Sequence, residues 1–137
     1  MSGFEPFDKA LHKAHEWLHD VAQKMGEGAT RQQAYAAMRA VLHALRDRLS
    51  PNEAAQLPLL VRGIYYEGWN PAKTPLKIRH RDDFLALVRE YLGKTDNVEP
   101  EPAVKAVSAV LREHVSAGEM EDVMAEMPAE IRELMAA

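Results

Sequence analysis

Three of the chain's six histidines fall inside one short stretch, FDKALHKAHEWLHD (7–20). His12, His15 and His19 are spaced three and four apart, and Asp8 lies four residues before His12. At about 100° per residue these four side chains share a helical stripe about 60° wide. Imidazoles at that spacing can share one metal ion, and a carboxylate can add a ligand, so Zn²⁺, Ni²⁺ or Cu²⁺ binding is the chemistry to consider. Working metal sites usually recruit ligands from a second element and brace them with outer hydrogen bonds. His43, His80 and His114 lie elsewhere in the chain, and nothing in the sequence brings them near. HKAHEWLH also lacks the H-E-x-x-H order of zinc hydrolases. The stripe therefore reads first as the polar flank of a helix, with no resident cofactor and at most weak, adventitious Zn²⁺ or Ni²⁺ binding.

A second stretch, RGIYYEGW (62–69), is dense in aromatics. Tyr and Trp offer large contact area at low entropy cost, and Arg offers directed donors. Arg62, Tyr66, Glu67 and Trp69 are the candidate partner-binding residues. The plainer reading is that Ile64, Tyr65 and Trp69 lock a helix end into the core. A basic cluster, Lys73, Lys77, Arg79, His80 and Arg81, is followed at once by Asp82 and Asp83. It reads as a solvated helix entry, and nucleic acid is not an expected partner. No nucleophile elbow, phosphate-cradling loop or dinucleotide fingerprint occurs. The expectation is a protein without catalytic residues.

The composition sets the frame. With 137 residues, 47% hydrophobic and 28% charged, the chain can build one cored domain, residues 1–137. It has no cysteine, which removes disulfides and thiolate chemistry and suits a cytoplasmic setting. No apolar run approaches the roughly 20 residues of a membrane span, and no signal peptide is evident at the start. The net charge of −4 is uneven: residues 1–95 carry +3 and residues 96–137 carry −7.

The elements that must position these side chains are all helical. Phe7, Leu11, Ala14, Leu18, Val21 and Met25 form one apolar stripe of a helix over 6–25, closed by Gly26 and Gly28. Thr30 with Gln33 predicts a capping box and a second helix. Ser50, Pro51 and Glu53 predict another capped start. Pro58 forces a break near Leu57 and a new helix to about Tyr66. EGWNPAKTP reads as a loop, 80–92 as an intervening helix, and KTDNVEPEP as a linker. Met120, Val123, Met124 and Met127 form a helical stripe that reads as core.

The chain also repeats itself. AVLHALRDRLSPNE (40–53) aligns with AVSAVLREHVSAGE (106–119) at an offset of 66. Pro58, Val61 and Arg62 then align with Pro128, Ile131 and Arg132 at an offset of 70. The difference is about one helical turn. Ser116 and Glu119 are the second copy's expected cap. These matches predict an all-α, compact bundle of about seven or eight helices, built from a tandem-duplicated three-helix unit (34–68 and 100–136).

AVLHALRDRLSPNEAAQLPLLVRGIYYEGWNP, with the upstream EWL and the downstream SAGEMEDVMAEMP, resembles the bacterial domain-of-unknown-function family 2267 over nearly the whole chain. The resemblance implies a small all-helical protein with this duplicated layout and carries over no enzyme activity. The functional expectation is a cytoplasmic helical module that binds a protein partner or itself. The alternative is a metal- or small-ligand-binding protein using the His12, His15 and His19 stripe.

Overall fold

Thr30 starts the helix around which the rest is assembled. Its Oγ1 accepts from Gln33 N at 3.0 Å, and Gln33 Oε1 accepts from Thr30 N at 2.9 Å. This reciprocal box satisfies two N–H groups that an α-helix start leaves unpaired. The computed structural model describes residues 3–50, 56–73 and 75–137. Among them the chain forms seven α-helices and no strand: α1 (Glu5–Met25), α2 (Arg31–Arg48), α3 (Leu59–Tyr66), α4 (Arg81–Leu92), α5 (Pro100–His114), α6 (Ala117–Glu126) and α7 (Ala129–Ala136). A single 3₁₀ turn covers Pro71–Lys73. No described helix is long and apolar enough to cross a membrane.

Every α2 residue from Ala40 to Asp47 is buried. A helix enclosed on all sides needs small side chains where neighbours press close. Ala34, Ala37, Ala40 and Ala44 meet that need, and α1, α3, α4 and α5 all pack on α2. α5 is the second hub, touching α1, α2, α4, α6 and α7. Its start differs from the expected linker: Pro100–Pro102 are already helical. First-turn N–H groups have no helical partner, so proline costs nothing there. α1 and α4 each end on a glycine at positive φ, Gly26 (112°) and Gly93 (60°), whose N–H folds back onto the last turn.

Two further expectations need correction. The apolar stripe of α1 is not uniformly core: Phe7 and Leu11 are 62% and 47% exposed, while Trp17 is 1% exposed. The first half of α1 projects beyond its packing neighbours, so periodicity alone does not bury it. The Ser116 cap is also built differently. Ser116 Oγ accepts from Glu119 N at 3.2 Å, but Ser116 N donates to Gln56 Oε1 at 2.8 Å, the place expected for Glu119. Gln56 Nε2 donates in turn to Ser116 Oγ at 2.9 Å. Ser50 makes the opposite crossing: its N and Oγ donate to the Glu126 carboxylate at 2.8 and 2.9 Å. Glu53 and the rest of its expected cap, 51–55, lie outside the described residues.

The overhang has a direct test. Phe84→Ala, at a site 0% exposed, should cost about 3–5 kcal/mol in urea unfolding. Phe7→Ala should change stability by less than about 0.5 kcal/mol. Equal losses would show that the start of α1 is packed.

Candidate functional site

The last two turns of α2 carry His43, Arg46 and Asp47, which are 1%, 5% and 8% exposed. Charged groups at such depth persist only when paired and hydrogen-bonded. Arg46 Nε donates to Asp47 Oδ1 at 3.0 Å. Arg46 Nη1 donates to the carbonyl of Glu67 at 2.6 Å and to that of Tyr65 at 3.4 Å. Its Nη2 donates to the Tyr91 hydroxyl at 3.1 Å, with the guanidinium carbon 5.8 Å from the Tyr91 ring centre. The Tyr91 hydroxyl donates to Asp47 Oδ2. Burial, then the Asp47 carboxylate, pushes the Tyr91 phenol above its usual pKa, so it stays a donor.

The backbone of the following connection is tied to the same place. Leu76 N donates to the Asp47 carbonyl at 2.6 Å, and Arg48 Nε donates to the Ile78 carbonyl at 2.8 Å. Arg39, two turns before Arg46, pairs with Glu67 at 2.9 Å. His43 Nε2 lies 2.7 Å from the Ile64 carbonyl, so that nitrogen carries the proton. His43 Nδ1 is buried without a hydrogen-bond partner. Burial holds its pKa below the usual histidine range. The Ile64 bond opposes that shift; Arg46 and Arg39 add to it, and Glu67 opposes it.

An open cleft of about 460 Å³ reaches this cluster, walled by Arg46, Asp47, Gly68, Asn70, Leu76 and Tyr91 among others. Its floor is chemically self-contained. The guanidinium is held by the carboxylate, the phenol and two carbonyls, and the phenol is committed to the carboxylate.

The DUF2267 family of uncharacterized conserved proteins matches residues 14–134. The chain belongs to this family. No curated protein matches it. The DUF2267 match takes in the whole buried cluster and begins after Phe7, Leu11, Asp8 and His12.

In this DUF2267 protein the RGIYYEGW residues divide their roles. Arg62 is exposed on α3 and donates to the Leu57 carbonyl at 3.0 Å. Tyr66 is half-buried, with ring centres 5.0 Å from both Tyr65 and Trp69. Glu67 is exposed, but its carboxylate holds Arg39 and its carbonyl holds Arg46. The segment is thus a clasp over Arg46, which residue types alone did not indicate. The available signal was in α2: three turns rich in Ala, Val and Leu on all sides, then an Arg-Asp pair with no exposed face to occupy.

His12, His15 and His19 are exposed, and His12 lies 4.0 Å from Glu16. Among the described residues, the three-ligand group that converges within 4.8 Å is a different one: Asp20, Glu113 and His114. His114 Nε2 is 2.7 Å from Asp20 Oδ2 and its ring stacks on Trp17 at 4.7 Å. Lys24 Nζ lies 2.6 Å from Glu113. In the basic cluster, His80 and the Arg81 N–H bind Glu130 at 2.9 and 3.2 Å, and the Arg81 side chain binds Glu101. The Glu130 bond raises the His80 pKa, and the His80 bond lowers that of Glu130. The His80 contribution is complete below its ordinary 6.5 and fades as pH rises through the folded value. The Glu130 contribution is present above its ordinary 4.5 and fades as pH falls through the folded value.

Arg46→Met should cost about 3–5 kcal/mol, because it strands Asp47 in the interior. Tyr91→Phe should cost about 1–3 kcal/mol, leaving an Asp47 oxygen short of a donor. A double-mutant cycle on the half-buried Arg81–Glu101 pair should show a coupling smaller than either loss. Denaturant unfolding orders the three. A near-neutral Arg46→Met would refute the clasp.

Proposed function

We propose that this DUF2267 protein is a non-enzymatic interaction module of the bacterial cytoplasm that receives a protein partner on the outer face of α3. The observation that carries this reading is the composition of that face. Leu59 and Leu60 are 67% and 39% exposed, side by side. One turn on, Gly63 sits inside the helix, where a Cβ would meet nothing within 4 Å. Glycine in a helix interior is destabilising by roughly 0.5–1 kcal/mol relative to alanine. Neither the fold's packing nor its backbone requires it. A flat spot beside two leucines suits the close approach of another chain. Arg62 and Tyr66 lie on the same helix within one turn of Gly63, and Arg and Tyr are among the side chains that most often carry binding energy.

The reading comes with an architectural one: the bundle is a duplicated unit, and the unit includes α1 and α4. Several contacts recur at the offsets seen in the sequence. Ser50–Glu126 and Ser116–Gln56 are reciprocal crossings. Arg62 holds the Leu57 carbonyl as Arg132 holds that of Met127. Arg46 reaches Tyr65 as Arg112 reaches Met135. Pro58 and Pro128 share φ −59°, with ψ 158° and 156°. Trp17, Val21 and Gly26 answer to Phe84, Val88 and Gly93 at an offset of 67.

Affinity capture from native cells tests the surface with wild type, Leu59→Glu and Gly63→Ala. Gly63→Ala should stabilise the isolated fold by about 0.5–1 kcal/mol while weakening capture. Leu59→Glu should abolish capture with helical content unchanged. Identical retained proteins in all three, or none, would overturn the reading.

A second reading, divalent-cation binding, is favoured by the convergence of Asp20, Glu113 and His114. It ranks below the first because the Lys24 ammonium already neutralises Glu113. On this reading, Zn²⁺ titrated into tag-free protein binds once, and His114→Ala abolishes binding where His12→Ala and His15→Ala do not. Binding that follows the stripe variants would discard the site.

A further inference from the structure

We propose that His43 is an acid-released latch: neutral, it fastens the end of α3 to α2, and protonation frees the segment Ile64–Asn70. The inference concerns the isolated chain and does not rest on the partner-binding reading.

The ring is enclosed, 1% exposed, with the Tyr91 ring edge-on at 5.2 Å. Its one hydrogen bond runs from Nε2 to the Ile64 carbonyl, at 2.7 Å. A carbonyl only accepts, so Nδ1 is left with a lone pair, buried and unpartnered. A proton added there becomes a buried donor with no acceptor, which is costly. It also adds a cation between two others on α2, Arg39 one turn before and Arg46 one turn after. From the α3 end comes the Glu67 carboxylate, 3.9 Å from Nε2 but held by Arg39 at 2.9 Å. From α4 comes the Tyr91 hydroxyl, already given to Asp47. Asp47 is in turn bound by Arg46. The charges around the ring therefore oppose imidazolium.

What the latch holds is light. α3 has eight residues, and its Pro58 start carries no side-chain cap. A helix this short is not stable alone and depends on what it is tied to. Two α2 side chains bind its end: His43 to Ile64, and Arg46 to the Tyr65 and Glu67 carbonyls. The proton is accepted once the segment swings out and water reaches Nδ1. The latched state thus prevails above the ordinary histidine value of 6.5 and is lost as pH falls below it, through the depressed folded value.

Hydrogen exchange on the full chain, at about pH 7.5 and about pH 5.5, tests this. Protection is read against the unstructured rate at each pH. Peptides spanning 60–70 should lose protection severalfold, up to about tenfold, at the lower pH, the most that one proton on a ring of ordinary value 6.5 can supply, with α5 unchanged. His43→Gln keeps an amide donor for the Ile64 carbonyl and cannot take up the proton; it should hold protection at both values. His80→Gln, at the exposed histidine bound to Glu130, should behave as wild type. A loss of equal size in His43→Gln overturns the latch. So does unchanged protection in wild type, the result if Glu67 leaves Arg39 and neutralises the ring in place. Should His43→Gln not fold, ¹⁵N NMR of wild type decides. The ring nitrogens and the Ile64–Asn70 amides must then titrate with one midpoint, and separate midpoints reject the proposal.

Discussion

A guanidinium taken out of water must be met on every side, and Arg46 imposes that requirement on α2, α3 and α4. Its partners come from α2 itself, from the carbonyls at the end of α3, and from the phenol of α4. Three elements distant in sequence are therefore held in one relative arrangement. An apolar core tolerates sliding between helices of similar shape. A buried ion pair with fixed donor directions does not, because each lost bond strands a polar group in the interior. The YYEGW turn follows from this constraint: its backbone supplies the acceptors, and Gly68 at φ 71° turns the chain after the last of them.

A second cluster, where α1 meets the end of α5, pairs its charges with different chemistry. Where Asp47 faces Tyr91, Glu113 faces Lys24 and His114 faces Asp20. Those groups are half exposed, and water shares in their solvation. The first cluster is consequently the more deeply buried one, and the second is open to solvent. His43 belongs to the buried side, and its Nδ1 joins Trp17 Nε1 and Ser108 Oγ as buried polar atoms without a hydrogen-bond partner among the described residues.

Much of the architecture was legible in residue order. Thr30 and Gln33 marked a helix start, Pro58 marked a break, and the 80–92 pattern marked α4, because caps and prolines act within a few residues of themselves. The core positions of the methionine stripe were equally local: Met120, Val123 and Met127 are buried. The stripe of α1 misled at Phe7 and Leu11, since periodicity says which face is apolar and not whether a neighbour reaches it. Ser116 misled in the other direction: its cap is completed by Gln56, sixty residues away.

The sequence by itself determined the helices, the Thr30 cap and the class of fold, through propensities and hydrogen bonds that span one or two turns. It also named Arg62, Tyr66 and Glu67 as worth attention. Tertiary structure alone decided what those residues do. It alone brought Tyr91 and the carbonyls at the end of α3 onto His43, Arg46 and Asp47, because a site built from three helices depends on packing angles that no local pattern encodes. It also separated the exposed histidines from the group that converges, since ligands must meet in space and spacing along one helix cannot supply a second wall.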